Sequence, residues 1–288
     1  MQIVIFGAGN CGRLIAQDLV KNAANKIVAF IDNDPQKAGE SVLLDKASPG
    51  GGGVKIYPSN KLKEIAFDKV IVGTFTGYYE ISSQLQEMGI AKEKIDVSYI
   101  ELSVRARVAF LEDFAKECGN LDGACAELGV YRGDFARYIN SSFPHKKLYL
   151  FDTFEGFWAQ DISNDSQMAK ALGKRHFANT SIDLVLGKMP YREQCVVKKG
   201  WFPESSKGVE EEHFCFVNLD ADLYEPILAG LEFFYPRMVR GGVILVHEYF
   251  SAGYVGVKEA VLEFISKKEG SIYKIPIGDN LSIAIIKT

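Results

Sequence analysis

Two aspartates stand two residues apart at the end of an apolar run. Asp220 and Asp222 follow Phe214–Leu219, whose apolar character predicts a buried β-strand. We expect both carboxylates to point into one site near the strand end. A carboxylate there can remove the proton of an attacking hydroxyl, and a divalent ion beside it would lower the pKa of that hydroxyl. An alternative role for Asp222 is to cap a helix that starts near Tyr224.

Another acid precedes a short glycine loop. Glu127-Leu-Gly-Val-Tyr-Arg-Gly133 follows a strand and opens a helix, and Asp152 closes the next strand. A loop that binds pyrophosphate has no use for a carboxylate, whereas S-adenosylmethionine carries an ammonium and no phosphate. The pattern predicts this cofactor, with Glu127 at the ammonium, Gly129 near the methionine part and Asp152 on both ribose hydroxyls. Structural roles remain open, a buried cap for Glu127 and a strand-end turn for Asp152.

The beginning of the chain contains a better formed glycine loop. Gly7, Gly9 and Gly12 match G-x-G-x-x-G between a strand and a helix, and Asp32 ends the following strand. These glycines allow a tight turn, the close approach of a phosphate and close packing of the helix. The carboxylate of Asp32 could accept hydrogen bonds from ribose hydroxyls. The loop therefore predicts a bound nucleotide or NAD, with a structural or assembly role as the alternative. Since no Tyr-x-x-x-Lys pair follows, we do not expect hydride transfer.

Alternating strands and helices must position these residues. Apolar runs of strand length alternate with helical apolar spacing in both halves of the chain, which predicts parallel β-α-β units. We therefore expect an α/β protein with two Rossmann-like, doubly wound domains, residues 1–100 and 101–288. Most of the candidate residues follow strands, and ligands of such sheets bind outside the carboxyl ends of the strands.

The C-terminal domain resembles a known family, the macrocin-type (TylF-, MycF- and NovP-like) sugar O-methyltransferases. The Asp-Thr-Phe-Glu-Gly and Leu-Asp-Ala-Asp-Leu-Tyr-Glu strings are the most specific part of the resemblance. The resemblance implies a class I methyltransferase sheet and transfer of a methyl group from S-adenosylmethionine to a sugar hydroxyl. The matching stretches keep the order and spacing of the family: Glu127-Leu-Gly-Val-Tyr-Arg-Gly133, Leu150-Phe-Asp-Thr-Phe-Glu-Gly-Phe157, Lys199-Gly-Trp-Phe-Pro203, Leu219-Asp-Ala-Asp-Leu-Tyr-Glu225 and Phe234-Tyr-Pro-Arg-Met-Val-Arg-Gly-Gly242.

The resemblance also implies roles for individual residues. Asp220 would bind a divalent metal ion, and Asp222 would act as the base. The family is usually oligomeric, which implies a homo-oligomer. Cofactor contacts are implied at the glycine loop and after the next two strands: Glu127, Gly129, Val130, Gly133, Asp152, Thr153, Gly200 and Trp201.

One position departs from the family. Members usually complete the metal site with two aspartates after the next strand, where this chain has His247-Glu248. Asp220, His247 and Glu248 still offer a facial set of ligands. Imidazole favours transition metals, whereas Mg²⁺ prefers oxygen ligands, so this pair shifts the expectation from Mg²⁺ towards Mn²⁺, Fe²⁺ or no metal. His247 has two other interpretations, as the catalytic base and as a residue with structural hydrogen bonds only.

Composition and charge restrict the remaining classes. Apolar residues make up 47% of the chain, enough for buried cores, and the net charge of -4 gives no basic face for nucleic acid. Five scattered cysteines without a CxxC pair, together with an N-terminus that lacks a basic region, predict a cytoplasmic protein with reduced thiols. The apolar runs fall short of the roughly 20 residues needed for a membrane span.

Three functions are compatible with these patterns. The first is an S-adenosylmethionine-dependent O-methyltransferase acting on the sugar of a glycan, nucleotide-sugar or glycosylated metabolite, in polysaccharide or secondary-metabolite biosynthesis. The second is an NAD- or nucleotide-sugar-binding protein of polysaccharide biosynthesis, with the methyltransferase fold as a scaffold. The third is an assembly module without chemistry. The first requires Glu127, Asp152, Asp220 and Asp222 to share one site.

Overall fold

Short apolar runs, punctuated by glycine turns, form the strands of two separate sheets. The computed structural model describes residues 1–44, 53–74, 77–163, 165, 167–173, 176–251, 253–268 and 272–288. The chain divides into two units, Met1–Arg105 and Ala106–Thr288, each with its own sheet. The division falls inside one long helix, Ser98–Cys118. The α/β fold class is confirmed, while the separate functions predicted for the two domains stay predictions.

The N-terminal unit is built on a mainly parallel sheet of strand order β3-β4-β2-β1-β5-β6. Apolar side chains of β1, β2 and β5 are buried in its core together with residues of the flanking helices. The strands are β1 (Gln2–Phe6), β2 (Lys26–Asp32), β3 (Ser41–Val42), β4 (Val54–Pro58), β5 (Lys69–Val72) and β6 (Ile95–Asp96), and the helices are α1 (Asn10–Leu19) and α2 (Tyr78–Glu87). Helix α3 (Ser98–Cys118) continues into the second unit.

The C-terminal unit contains a larger sheet of strand order β12-β13-β11-β10-β7-β8-β9. The strands are β7 (Ala124–Leu128), β8 (Leu148–Asp152), β9 (Cys195–Lys199), β10 (Phe214–Leu219), β11 (Met238–Val246), β12 (Tyr273–Pro276) and β13 (Ile283–Ile286). The helices are α4 (Ala136–Ser142), α5 (Ala159–Ser163), α6 (Gln167–Leu172), α7 (Ile182–Gly187), α8 (Tyr224–Phe234) and α9 (Val255–Ser266).

Strands β7 to β11 pair in parallel, and β13 runs antiparallel to both β11 and β12. Two buried clusters, whose members come from alternating strand positions and from the helices, form the core of this unit. Because both faces are covered, β10 is buried along its whole length. Within the described ranges, none of the helices combines the length and apolar character needed to cross a membrane.

Candidate functional site

The carboxyl ends of the parallel strands in the C-terminal unit carry most of the predicted residues. Strands β7 and β10 are adjacent, and the chain leaves them toward opposite edges of the sheet. Ligands of doubly wound sheets bind in the crevice at such a switch point. The strand ends and the turns that follow them place these residues along one edge: Glu127, Gly129, Val130, Gly133, Asp152, Thr153, Gly200, Trp201, Asp220, Asp222, His247 and Glu248.

Gly129 allows the backbone after β7 to pass close to the backbone after β10. Its φ is +88°, and a Cβ at this position would lie 2.2 Å from the carbonyl oxygen of Asp220. The Gly129 N–H donates to the carbonyl of Phe151 at 2.9 Å, and the Asp220 N–H donates to the carbonyl of Leu128 at 2.8 Å. The sheet itself therefore requires glycine here, at the edge where a ligand would approach.

Asp152 organises the glycine loop from the end of β8. Its Oδ2 accepts the N–H groups of Val130 and Tyr131, both at 2.8 Å, and its Oδ1 accepts the N–H of Phe154 at 2.6 Å. Thr153 continues the turn, since its hydroxyl donates to the carbonyl three residues later. The turn role considered for Asp152 is thus present in the structure, and its contact with ribose stays a prediction.

Glu127 is fully buried, and only one of its carboxyl oxygens has a partner among the described residues. Its Oε1 accepts a hydrogen bond from Nδ2 of Asn218 at 2.7 Å. Burial, followed by the negative charge of Asp220, raises the pKa of Glu127 well above its usual range. A buried polar atom without a partner is costly, so Oε2 favours a ligand that brings a donor or a positive charge.

Arg107 supplies a positive charge to the site, and the sequence patterns did not single it out. Its Nη2, on helix α3, donates to Oδ1 of Asn218 at 2.9 Å and to Oδ2 of Asp220 at 2.8 Å. The guanidinium carbon lies 3.9 Å from the centre of the Phe135 ring. Both Arg107 and Asn218 are buried. One feature of the sequence could have indicated this polar contact: Asn218 is a lone polar residue inside the apolar run Phe214–Leu219.

The two aspartates after β10 have pKa values shifted in opposite directions. Burial by itself raises the pKa of Asp220, but the charges of His247 and Arg107 outweigh it and hold that pKa below its ordinary value. At Asp222, burial and the negative charges of Asp220 and Glu248 prevail, and the pKa is raised well above its ordinary value. Carboxyl groups with pKa values pushed apart are typical of sites for acid–base chemistry.

Asp222 does not cap helix α8, although it lies two residues before the helix begins. The N–H of Tyr224, the first helical residue, donates to Oδ2 of Asp165 at 2.7 Å. Asp165 is buried and therefore replaces Asp222 as the acceptor at this helix end. The structural alternative considered for Asp222 is wrong, and its partly buried carboxyl instead interacts with Asp220 and Glu248.

His247 is held from one side by a buried polar pair. It follows Val246, which pairs with Ile283 in the antiparallel register of β11 and β13, so it lies next to Ser282. Its Nδ1 lies 2.8 Å from Oγ of Ser282, whose hydroxyl donates to Oδ2 of Asp279 at 2.6 Å. The other ring nitrogen, Nε2, lies 3.5 Å from Oε1 of Glu248. The ring therefore joins a polar chain on one side to the acids of the site on the other.

The predicted metal ligands do not assemble into a metal site. Within the part of the chain that the structure describes, no group of three or more His, Cys, Asp or Glu side chains is arranged to hold a metal ion. Asp220, the predicted first ligand, is paired instead with the guanidinium of Arg107. The arrangement of Asp220, His247 and Glu248 therefore does not fit the predicted Mg²⁺ or Mn²⁺, and no reaction step below passes through a metal.

Trp201 is oriented by a carboxyl group from helix α5. Its indole Nε1 donates to both oxygens of Asp161 at 3.0 Å, and its ring stacks against Trp158 with centroids 6.4 Å apart. Gly200, with φ of +139°, donates its N–H to the carbonyl of Asp152 at 2.9 Å. The turn after β9 is thus joined to the end of β8, and cofactor contact by Gly200 and Trp201 stays a prediction.

We expect Asp161→Asn to flatten the pH dependence of stability in the acidic range. Burial raises the pKa of Asp161 from 3.8 to about 6, although the hydrogen bond from Trp201 opposes the shift. Because this pKa is higher in the folded chain, ionisation of Asp161 costs stability progressively as the pH rises through that interval, and the cost is constant above it. Thermal melts followed by circular dichroism between pH 4 and 7 would measure the slope. A wild-type slope in the variant would refute the effect, and Asp183→Asn, at an exposed acid of α7, is the control.

The glycine loop of the N-terminal unit packs against its own backbone. A Cβ on Gly12 would lie 1.9 Å from the carbonyl oxygen of Gly7, whereas one on Gly9 would meet no described atom within 4 Å. Asp32 accepts a backbone N–H of the loop at 2.8 Å and pairs with Lys37 at 3.0 Å. Close helix packing thus explains Gly12, and a φ of +109° with the Gly73 carbonyl nearby explains Gly7. Gly9 lies open, and the bound nucleotide or NAD stays a prediction.

Family models match the chain in two segments. Residues 87–275 match the model described as macrocin-O-methyltransferase (TylF), and residues 1–96 match the model described as C2185-like, N-terminal. The first segment is well over half of the chain and includes every strand end of the C-terminal site. The second segment coincides with most of the N-terminal unit.

Two curated proteins are similar to part of the chain. One is the 8-demethyl-8-(2,3-dimethoxy-alpha-L-rhamnosyl)-tetracenomycin-C 4'-O-methyltransferase of Streptomyces olivaceus, 24% identical over 140 residues, which are 44% of this chain and 53% of that protein. The other is the mycinamicin III 3''-O-methyltransferase of Micromonospora griseorubida, 25% identical over 142 residues, 44% of this chain and 55% of that protein. The chain thus spans about half the length of these curated relatives.

Two solved structures are similar to this chain in fold. The O-methyltransferase NovP is 23% identical, with a TM-score of 0.54 over 64% of this chain and 80% of that chain. The calicheamicin methyltransferase CalS11 is 17% identical, with a TM-score of 0.53 over 83% of this chain and 99% of that chain. Both carry the fold predicted here as a class I methyltransferase sheet.

Proposed function

Because the chain belongs to the macrocin-O-methyltransferase (TylF) family, we propose that it transfers the methyl group of S-adenosylmethionine to a sugar hydroxyl. The sugar is part of a glycan, a nucleotide-sugar or a glycosylated metabolite. The curated relatives support this class, since both names specify O-methylation and one specifies a rhamnosyl-bearing tetracenomycin. The observation that carries the proposal is Oε2 of Glu127, buried at the switch point of the sheet with no partner among the described residues.

The residues around the glycine loop suit S-adenosylmethionine. Its ammonium group is the positively charged donor that Oε2 of Glu127 lacks, and hydrogen bonds between charged partners are the stronger ones. Gly129 lets the loop backbone approach the methionine part. Asp152 accepts three hydrogen bonds within the protein, whereas an ionised carboxylate can accept about four. It can therefore still accept a hydrogen bond from a ribose hydroxyl. Gly200 lies beside Asp152 and completes this side of the site.

Methyl transfer is an in-line displacement at the sulfonium. The hydroxyl oxygen forms a bond to the methyl carbon while the carbon–sulfur bond breaks, which leaves neutral S-adenosylhomocysteine, a methyl ether and one proton. Asp222 and His247 are the two candidate acceptors for that proton, since both lie at the end of the crevice beside Asp220. Asp220 is paired with the guanidinium of Arg107 at 2.8 Å, which leaves Asp222 and His247 for that role.

The N-terminal unit is proposed to bind a nucleotide, NAD or a nucleotide-sugar. The open space at Gly9, at the N-terminus of helix α1, supports this role because a phosphate can approach the backbone closely there. The same observation favours a second candidate function, a nucleotide-sugar- or NAD-binding protein of polysaccharide biosynthesis whose methyltransferase fold is a scaffold. Melting-temperature shifts with UDP-sugars or NAD but none with S-adenosylhomocysteine would select this second candidate.

Glu127→Gln is expected to weaken binding of S-adenosylmethionine by about 10- to 100-fold, the effect of losing a charged hydrogen bond. The amide still accepts from Asn218, but it places an N–H donor where the ammonium needs an acceptor. Because Glu127 is buried and its pKa is raised, the neutral amide should not lower the stability of the protein without ligand. Isothermal titration with S-adenosylhomocysteine and thermal melts without ligand would measure the two effects.

Glu232→Gln is the matched control for this change. Glu232 lies on helix α8 with its side chain 52% exposed, and it pairs only loosely with Lys267 at 3.9 Å. Equal affinity in the Glu127→Gln variant and the control would place the ammonium elsewhere. Failure of the wild-type protein both to bind S-adenosylhomocysteine and to methylate a panel of rhamnosides would refute the proposed function.

A further inference from the structure

We propose that Asp279 and Ser282 are positioning residues that hold His247 in the tautomer whose Nε2 accepts the proton of the sugar hydroxyl. The inference rests on the proposed methyl transfer and assigns roles to two residues outside the motifs of the site. Asp279 lies in the turn between β12 and β13, and Ser282 directly precedes β13. Both are buried, each with 1% of its surface exposed.

The Ser282 hydroxyl has a single proton to donate. That proton is directed to Oδ2 of Asp279, at 2.6 Å, so toward the imidazole the serine oxygen can only accept. Oγ lies 2.8 Å from Nδ1 of His247. Nδ1 must therefore carry a proton, and in the neutral ring the lone pair is left on Nε2.

The direction of this hydrogen-bond chain is set by the backbone around Asp279. Its Oδ1 accepts the N–H of Leu281 at 3.0 Å and the N–H of Ser282 at 2.7 Å. Backbone N–H groups cannot reverse their role, so they favour a carboxylate that acts as an acceptor throughout. The turn thus orders Asp279, Asp279 orders the Ser282 hydroxyl, and the hydroxyl orders His247.

The opposite side of the imidazole faces the acids of the site. Nε2 lies 3.5 Å from Oε1 of Glu248. During transfer the hydroxyl proton moves to Nε2, the oxygen electron pair forms the bond to the methyl carbon, and the carbon–sulfur pair stays on sulfur. The imidazolium that results is stabilised by Asp279, whose Oδ2 lies 3.9 Å from Nδ1, and by Glu248. This assigns the base role to His247 rather than to Asp222.

Nitrogen-15 NMR of histidine-labelled protein tests the tautomer directly. The chain has four histidines, and His247→Asn identifies the signal that belongs to His247. We expect a protonated Nδ1 and an unprotonated Nε2 in the wild type at the pH of activity. In Asp279→Asn the introduced amide donates to Ser282, whose hydroxyl then turns to Nδ1, so the ring proton should move to Nε2.

Kinetics on the full-length protein test the catalytic consequence. Asp279→Asn should lower kcat about 10²- to 10⁴-fold, the usual contribution of a general base, and leave the affinity for S-adenosylhomocysteine unchanged. Ser282→Ala removes the hydroxyl but does not reverse the direction of its hydrogen bond to His247. This variant should lower kcat less than Asp279→Asn and give a mixture of tautomers. Ser266→Ala, at an exposed serine of α9, is the control. If Asp279→Asn does not fold, Ser282→Ala still decides the question.

Three results would overturn the assignment: a wild-type ring protonated on Nε2 alone, an imidazolium protonated on both nitrogens at the pH of activity, or a reversed tautomer with unchanged kcat. The last result would return the base role to Asp222. Wild-type turnover and binding of S-adenosylhomocysteine report on the proposed methyl transfer separately. A loss confined to the variants therefore concerns only Asp279, Ser282 and His247.

Discussion

Gly129→Ala is expected to destabilise the C-terminal unit by more than about 4 kcal/mol and to abolish binding of S-adenosylhomocysteine. The added Cβ would lie 2.2 Å from the carbonyl oxygen of Asp220 and 2.9 Å from the backbone nitrogen of Ala221. These are backbone atoms at the end of β10, so relief requires the two central strands to separate. The φ of +88° adds a further penalty for any residue with a side chain.

Urea unfolding followed by tryptophan fluorescence measures this effect in the relevant unit. Both tryptophans of the chain, Trp158 and Trp201, belong to the C-terminal unit. Gly208→Ala is the matched control, since Gly208 has a φ of +79° but its Cβ would meet no described atom within 4 Å. Gly208→Ala should lower the free energy of unfolding by only roughly 1–2 kcal/mol, the penalty for placing a side chain in the left-handed conformation. Equal losses in the two variants would mean that the close approach of the strands is not what requires Gly129.

Arg107→Met is expected to cost about 3–5 kcal/mol at neutral pH, the usual penalty for leaving a buried charge without its partner. The Arg107 guanidinium donates to Asp220 and Asn218, and its charge also lowers the pKa of Glu127 and Asp222. Removing it leaves the ionised side chain of Asp220, which is only 21% exposed, without its guanidinium partner. The loss should therefore be much larger than that of an ordinary surface substitution.

The cost of Arg107→Met should shrink as the pH falls. In the wild-type protein the pKa of Asp220 is lower in the folded state than in the unfolded state. The ionised Asp220 therefore stabilises the fold at pH values above its unfolded-state pKa, and this stabilisation is lost as the pH falls through its folded-state pKa. In the variant the lowering charge of Arg107 is absent, so the pKa of Asp220 rises and less of this stabilisation is present at neutral pH. Urea titrations at pH 4.5 and 7.5 would measure the difference.

Arg105→Met provides the control for the same helix. Arg105 is 71% exposed and pairs with Glu101, an arrangement that contributes about 0.3–0.5 kcal/mol. Combining Arg107→Met with Asp220→Asn should recover part of the lost stability, because the unpaired charge is then absent. A pH-independent loss, or no recovery in the double variant, would show that Arg107 acts through packing on Phe135 instead.

Local patterns were sufficient to predict the elements and the edge at which the site lies. Apolar runs followed by Gly129, Asp152 or Asp220 indicated parallel strands with polar residues at their carboxyl ends, and the family resemblance is confirmed by the match to residues 87–275. These features are readable because a strand, its period and the turn that ends it are encoded by neighbouring residues. The contact roles of Glu127 and Asp152 toward the cofactor stay predictions.

Partners that are distant in sequence could not be predicted in this way. Arg107 precedes β7 on a helix, and its contact with Asp220 depends on how that helix packs on the sheet. Asp165, rather than Asp222, accepts the first N–H of α8 because the chain after α5 returns to that helix end. Neither residue lies in a motif, so only the packing of the C-terminal unit reveals its role.

The sequence by itself determined the α/β class, the strand ends that carry the chemistry and the family to which the chain belongs. The tertiary structure decided how those residues are paired. Asp220 lies against a guanidinium instead of in a metal-binding set, and the register of β13 places Ser282 and Asp279 behind His247. The physical reason is that residue type and strand position are local properties, whereas charge pairing, burial and tautomer depend on groups that only folding brings together.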